Sequence, residues 1–161
     1  MIPQSEYAMS ETVAVQAPAQ LLYDMVSDVT RIGEFSPSCI SCWWDDGDGP
    51  RVGAWFTGRN QTATRTWETR SQVVVAEPAQ EFAFVVGAGL VRWGYTFSPT
   101  AEGVEVTESW EFLPAGLAMF HQRFGDDAPA QIADRTQAAR EGIPLTLAAL
   151  KRAAEAGGRD R

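Results

Sequence analysis

The chain is poor in the residues from which metal centres and redox frameworks are built. It has one histidine and two cysteines, and its 13 Lys and Arg are outnumbered by 21 Asp and Glu. With Cys39 and Cys42 as the only thiols and His121 far downstream, Cys and His cannot assemble a four-ligand zinc site. The two cysteines in SCISCWW do have the Cys-x-x-Cys spacing of redox motifs. On an extended strand, however, they fall on opposite faces with Cα atoms roughly 10 Å apart, beyond disulfide reach. Two ordinary thiols near a strand start are therefore expected. A net charge of -8 repels a phosphate backbone, so nucleic acid is a poor partner. The segment MIPQSEYAMSETVAVQAPAQ has neither a basic start nor a long apolar run, and no stretch is long enough to span a bilayer. The expectation is a soluble cytoplasmic protein without membrane insertion, in which the acceptor pattern at Asn60-Gln61-Thr62 has no use. No Gly-rich phosphate loop, HExxH or G-x-S-x-G occurs, which removes nucleotide, metalloprotease and hydrolase readings.

What the chain does have is an ordinary globular balance, 45% hydrophobic and 21% charged over 161 residues. That fits a single domain over 1–161, with its core over about 9–156. ETVAVQA, 11–17, alternates as a first strand and stops at Pro18, which suits the first turn of a helix. Apolar residues at helical spacing from Leu21 to Phe35, with Ser27 or Asp28 as a cap, predict two short helices ending before Pro37. Six strands follow, near 40–45, 51–59, 65–76, 81–86, 91–98 and 103–112, separated by turn clusters such as DDGDGP and SPTAEG. Ile132, Thr136, Ala139, Ile143, Leu147, Leu150 and Ala154 then place one long amphipathic helix, with a kink expected at Gly142 and Pro144.

One strand, two short helices, six strands and one long helix resemble the helix-grip fold of the START-like (SRPBCC) superfamily. The fold class expected is α+β, with a seven-stranded curved antiparallel sheet wrapped around the C-terminal helix. More locally, FSPSCISCWW, PRVGAWFTGRN, RWGYTFSPT and GVEVTESWEF look like segments of its bacterial polyketide cyclase/dehydrase-like branch. The resemblance covers nearly the whole chain. It implies a cavity between sheet and long helix for a lipophilic small molecule, and it supplies no shared catalytic triad to carry over.

Strand parity gives the residues that would line such a cavity, because alternate side chains point to opposite faces. The inner set contains Phe56 and Asn60, then Trp67, Thr69, Ser71, Val73 and Val75. Phe84, Trp93, Tyr95 and Trp110 follow on later strands, with Val52 heading the set. Ile143 and Leu147 of the long helix complete the ligand-facing candidates. Such a mixture of aromatics, hydroxyls and one amide suits a small-molecule pocket, although Thr, Ser and Asn on strands more often serve packing or backbone bonding.

In EVTESWEF, Val104, Val106, Trp110 and Phe112 share the inner face with Glu108. An ionised carboxylate among apolar side chains costs several kcal/mol unless it is paired or protonated. Three roles are open to it: a general acid or base with raised pKa, a fixed acceptor for a ligand hydroxyl, or half of an internal ion pair with Arg59, Arg65 or Arg92. His121, on a helical stripe with Leu117, Phe120 and Phe124, is a second candidate that could cap the cavity mouth, and Tyr95 is a third. A lone His on an apolar face is more often structural, which ranks it below Glu108. The leading expectation is a cofactor-independent cyclase or dehydratase acting on an aromatic or polyketide-like metabolite. The other is a non-catalytic carrier or sensor of a lipophilic ligand. The outward Trp55 is a candidate contact patch for a homodimer.

Overall fold

The computed structural model describes residues 4–47 and 49–159. Asp48, within the expected turn DDGDGP, and the extreme ends of the expected 1–161 domain lie outside the described residues. Strand β1 is Ala8–Val15, followed by helices α1 (Ala19–Ser27) and α2 (Ile32–Phe35). Strands β2 (Cys39–Trp44), β3 (Trp55–Gln61), β4 (Thr66–Glu77), β5 (Glu81–Val86), β6 (Val91–Thr100) and β7 (Gly103–Phe112) come next. Helices α3 (Pro114–Phe124) and α4 (Ala128–Arg159) close the chain.

All seven strands form one antiparallel sheet in the order β1-β7-β6-β5-β4-β3-β2. The meander from β2 to β7 returns the chain to β1, so α1 and α2 carry the connection from one sheet edge to the other. Pro18 sits at the N-cap of α1, one position earlier than expected. Asp28 caps the 3-10 turn that follows, its side chain accepting from the Thr30 N–H at 3.1 Å. The curved sheet grips α4, whose Ile143, Leu147, Leu150 and Ala154 are buried. Helix α4 continues through Pro144, which lacks the N–H that would bond the Arg140 carbonyl. Both residues lie on the exposed side, where water can serve that carbonyl.

Three local expectations change. Strand β1 starts at Ala8 rather than 11, because pairing with β7 extends from Ala8 opposite Glu111 to Val15 opposite Val104. Strand β3 starts at Trp55 rather than 51, since 51–54 form a turn in which the Ala54 N–H reaches the Arg51 carbonyl at 3.1 Å and Gly53 adopts φ 93°. Val52, expected inside, is therefore 60% exposed. In β4 a bulge between Val73 and Val75 places Ala76 opposite the inner-face Phe82, so the inner face passes from Val75 to Ala76. The outward Trp43 and Trp55 lie beneath the Arg59 and Arg70 guanidiniums, at 5.7 and 4.4 Å from their ring centroids. No described helix is long and apolar enough to cross a membrane.

Candidate functional site

One rung of the sheet sets Glu11, Glu108, Tyr95 and Phe82 side by side on β1, β7, β6 and β5. Directly opposed residues of antiparallel strands project to the same face, so the alternation of EVTESWEF delivers Glu108 to the concave side. Glu11, on the edge strand, stays exposed, whereas Glu108 is 2% exposed. The Tyr95 hydroxyl donates to Glu108 Oε2 at 2.8 Å. The other oxygen, Oε1, is buried without a hydrogen-bond partner.

None of the three candidate arginines, Arg59, Arg65 and Arg92, neutralises this carboxyl. Arg59 binds Glu68 at 3.0 Å, Arg92 binds Glu81 at 3.4 Å, and Arg65 lies 4.0 Å from the Trp67 ring centroid. The internal ion pair is thereby replaced by a simpler solution in which burial disfavours the charged form. Desolvation pushes the Glu108 pKa from 4.5 up to about 8, and the Tyr95 hydrogen bond opposes only part of that rise. Burial and the adjacent carboxyl hold the Tyr95 phenol well above its ordinary value of 10.0, so it remains a proton donor in a hydrogen bond. The pair combines a neutral phenol with a carboxyl that changes protonation near neutral pH.

This arrangement predicts the behaviour of Tyr95→Phe. Removing the hydroxyl leaves both carboxyl oxygens unpartnered and takes away the one interaction that favours ionisation, so the Glu108 pKa should rise above about 8. A carboxyl-carbon NMR titration would read the change, and a fall in pKa would show that the hydroxyl does not stabilise the carboxylate.

The remaining candidates divide into two groups. Phe56, Ser71, Trp110, Ile143 and Leu147 are buried, whereas Asn60, Trp67, Thr69, Phe84 and Trp93 stay partly exposed on the same concave face. Phe56 and Phe84 meet edge to face with centroids 5.0 Å apart, and the Asn60 amide donates to Thr69 Oγ1 at 3.3 Å. His121 is not part of this set. Phe120 turns the packed stripe of α3 inward, with its centroid 4.9 Å from Phe112 and 5.1 Å from Phe124, and His121 is left exposed. Neither oxygen of Glu108 receives a bond from it.

Two clefts have volumes of about 360 Å³, one bordered by Ser10, Arg92, Ser109, Glu111 and the candidate Trp110, the other by Asp24, Asp28, Trp44 and Pro50. Neither includes Glu108. Among the described residues no group of three or more His, Cys, Asp or Glu side chains is arranged to hold a metal ion.

Parity along β2 missed two inward side chains. Cys39 and Cys42 were expected on opposite faces, but both point inward with their Sγ atoms 3.4 Å apart. The cause is a bulge at Ile40, which no alternation pattern announces. Thr146, a buried hydroxyl on α4, also escaped the strand-based reading; its place three residues after Ile143 and four before Leu150 was the available signal.

A curved antiparallel sheet gripping a long helix, with a protonatable carboxyl on its apolar concave face, defines a small-molecule-binding helix-grip protein. The family described as polyketide cyclase / dehydrase and lipid transport matches residues 7–155, and the chain belongs to it. The chain is 50% identical to the Polyketide_cyc-like protein Cgl2372 of Corynebacterium glutamicum, covering 92% of this chain and 91% of that one with a TM-score of 0.69. The fold is also shared with NE0264 of Nitrosomonas europaea, at 14% identity, 98% and 99% coverage and a TM-score of 0.69. A third similar structure is the di-domain ARO/CYC StfQ from the steffimycin biosynthetic pathway. There the identity is 15%, the TM-score 0.69, and the match covers 96% of this chain but 53% of StfQ. A comparison with curated proteins gives no match.

Proposed function

We propose that the chain holds a lipophilic, polyketide-like small molecule against its concave face and that Glu108 moves a proton on it in a cofactor-independent cyclisation or dehydration. The observation that carries this reading is the buried carboxyl with one oxygen held by Tyr95 and the other unpartnered. With a pKa near 8, Glu108 is mainly protonated at neutral pH and can give its proton to a ligand oxygen. Its ionised fraction can remove a proton from the carbon beside a carbonyl. In a dehydration the two acts follow each other: the carboxylate takes the C–H proton, returns a proton to the hydroxyl, and water leaves. Tyr95 steadies the carboxyl throughout, and the partly exposed Asn60, Trp67, Thr69, Phe84 and Trp93 offer the ligand a way in. Glu108 is closed over by its neighbours, so these walls must part to admit a ligand.

Native mass spectrometry of the purified protein identifies any copurifying molecule, and Glu108→Gln then separates the roles. The variant keeps size and an acceptor for Tyr95 but cannot transfer a proton, so turnover should fall about 100-fold or more with affinity largely retained. Undiminished turnover sinks the acid/base role. The second reading, a carrier or sensor, is favoured by the scarcity of titratable partners at Glu108, where only Tyr95 is bonded. In that case Glu108→Gln alters affinity and no product forms.

A further inference from the structure

Cys39 stands opposite Asn60 and Ser41 opposite Arg59, so Ile40 has no cross-strand partner and its side chain is 50% exposed. One extra residue resets the alternation, and Cys39, Cys42 and Trp44 all face inward from β2. Both thiols are buried, at 9% and 8% exposure, with Sγ atoms 3.4 Å apart. Gly58, opposite Cys42 on β3, supplies the space. A Cβ there would lie 3.0 Å from Cys42 Sγ and 3.6 Å from Cys39 Sγ, so any larger residue would crowd the sulfurs.

We propose that Cys39 and Cys42 form a redox-active dithiol site that hydroperoxides convert reversibly into an intramolecular disulfide. The sulfurs need to approach by only about 1.4 Å to reach the S–S bond length. Strand β2 has a free edge and a bulge, so it can absorb that movement without disturbing a second sheet neighbour.

The thiols are chemically unequal. The Sγ–Sγ hydrogen bond holds the Cys39 thiol below its usual range, while that same bond and burial push Cys42 up. In the proposed sequence Cys39 attacks first. Its sulfur forms a bond to one peroxide oxygen, the O–O bond breaks, and the departing hydroxide or alkoxide takes up a proton. Cys42 then loses its proton as its sulfur attacks the Cys39 sulfenic acid. The S–S bond forms, the S–O bond breaks, and water leaves. Two thiols have lost two electrons and the peroxide has gained them.

The test uses the full chain, reduced and then treated with hydrogen peroxide at low molar excess. Trypsin releases residues 32–51 as one peptide holding both cysteines. That peptide should become two hydrogens lighter and resistant to alkylation, with both properties reversed by dithiothreitol. In Cys42→Ser a dimedone-reactive sulfenic acid should accumulate at Cys39, and Cys42 in Cys39→Ser should react at least tenfold more slowly. Two freely alkylatable cysteines after peroxide treatment, oxygen addition without a crosslink, or a disulfide between two chains would each overturn the proposal. The wild-type peptide mass requires no variant to fold.

Discussion

Glu108→Gln should gain stability relative to the unaltered protein as the pH rises from about 5 to about 8. The sign follows from proton binding. The carboxyl titrates near 4.5 when the chain is unfolded and at about 8 when it is folded, so between those values the native state holds a proton that the unfolded state has released. Stability attributable to this group is complete below the lower value, falls as the pH rises through the window, and levels off above the upper one. The separation between 4.5 and about 8 sets an upper limit of roughly 4–5 kcal/mol on the loss, and relaxation around the site reduces it. Glutamine never ionises, so it escapes this loss. At pH 4 that advantage is gone and the glutamine should be less stable by about 1–3 kcal/mol, because both groups accept from Tyr95 but the protonated carboxyl leaves one donor unused and the amide two. Thermal or urea unfolding of both proteins at pH 4, 6 and 8.5 checks the claim. A constant difference across that range would mean that Glu108 titrates normally in the folded chain.

The largest stability loss is expected from Phe112→Ala. Phe112 ends β7, is fully buried, and joins the sheet to α3 through edge-to-face contacts with Trp110 and Phe120, at 5.9 and 4.9 Å between centroids. Truncation removes the buried ring and leaves a cavity that the rigid strand end cannot fill. A loss of about 3–5 kcal/mol follows, equivalent to a fall of roughly 6–20 °C in Tm for a chain of this size. Phe112→Leu should recover much of it by refilling the volume. Equilibrium unfolding in guanidinium measures both variants, and a loss below about 1 kcal/mol for the alanine would show that α3 does not depend on this contact.

Glu108 illustrates how far the sequence could be read. Its place on the inner face follows from alternation alone, as does that of Tyr95, since both strands are regular through the pair. Their mutual hydrogen bond does not follow, because register between strands is a property of pairing. His121 shows the opposite failure. Helical spacing put it near Leu117 and Phe120, but the direction of the packed stripe was set by where Phe112 ends the sheet. Cys39 and Cys42 show a third kind, in which one unpaired residue reverses the conclusion that parity gives.

Local chemistry alone determined the order of strands and helices apart from α3, the family resemblance, and the faces of the regular strands. Each depends on side-chain alternation, helical periodicity or turn residues within a few positions of one another. Tertiary structure decided the bulges, the closing of apolar walls over Glu108, its bond to Tyr95 and the meeting of the two thiols. Those features arise when strands distant in sequence fix each other's register and exclude water from the groups between them, and only then does a carboxyl's environment set its charge.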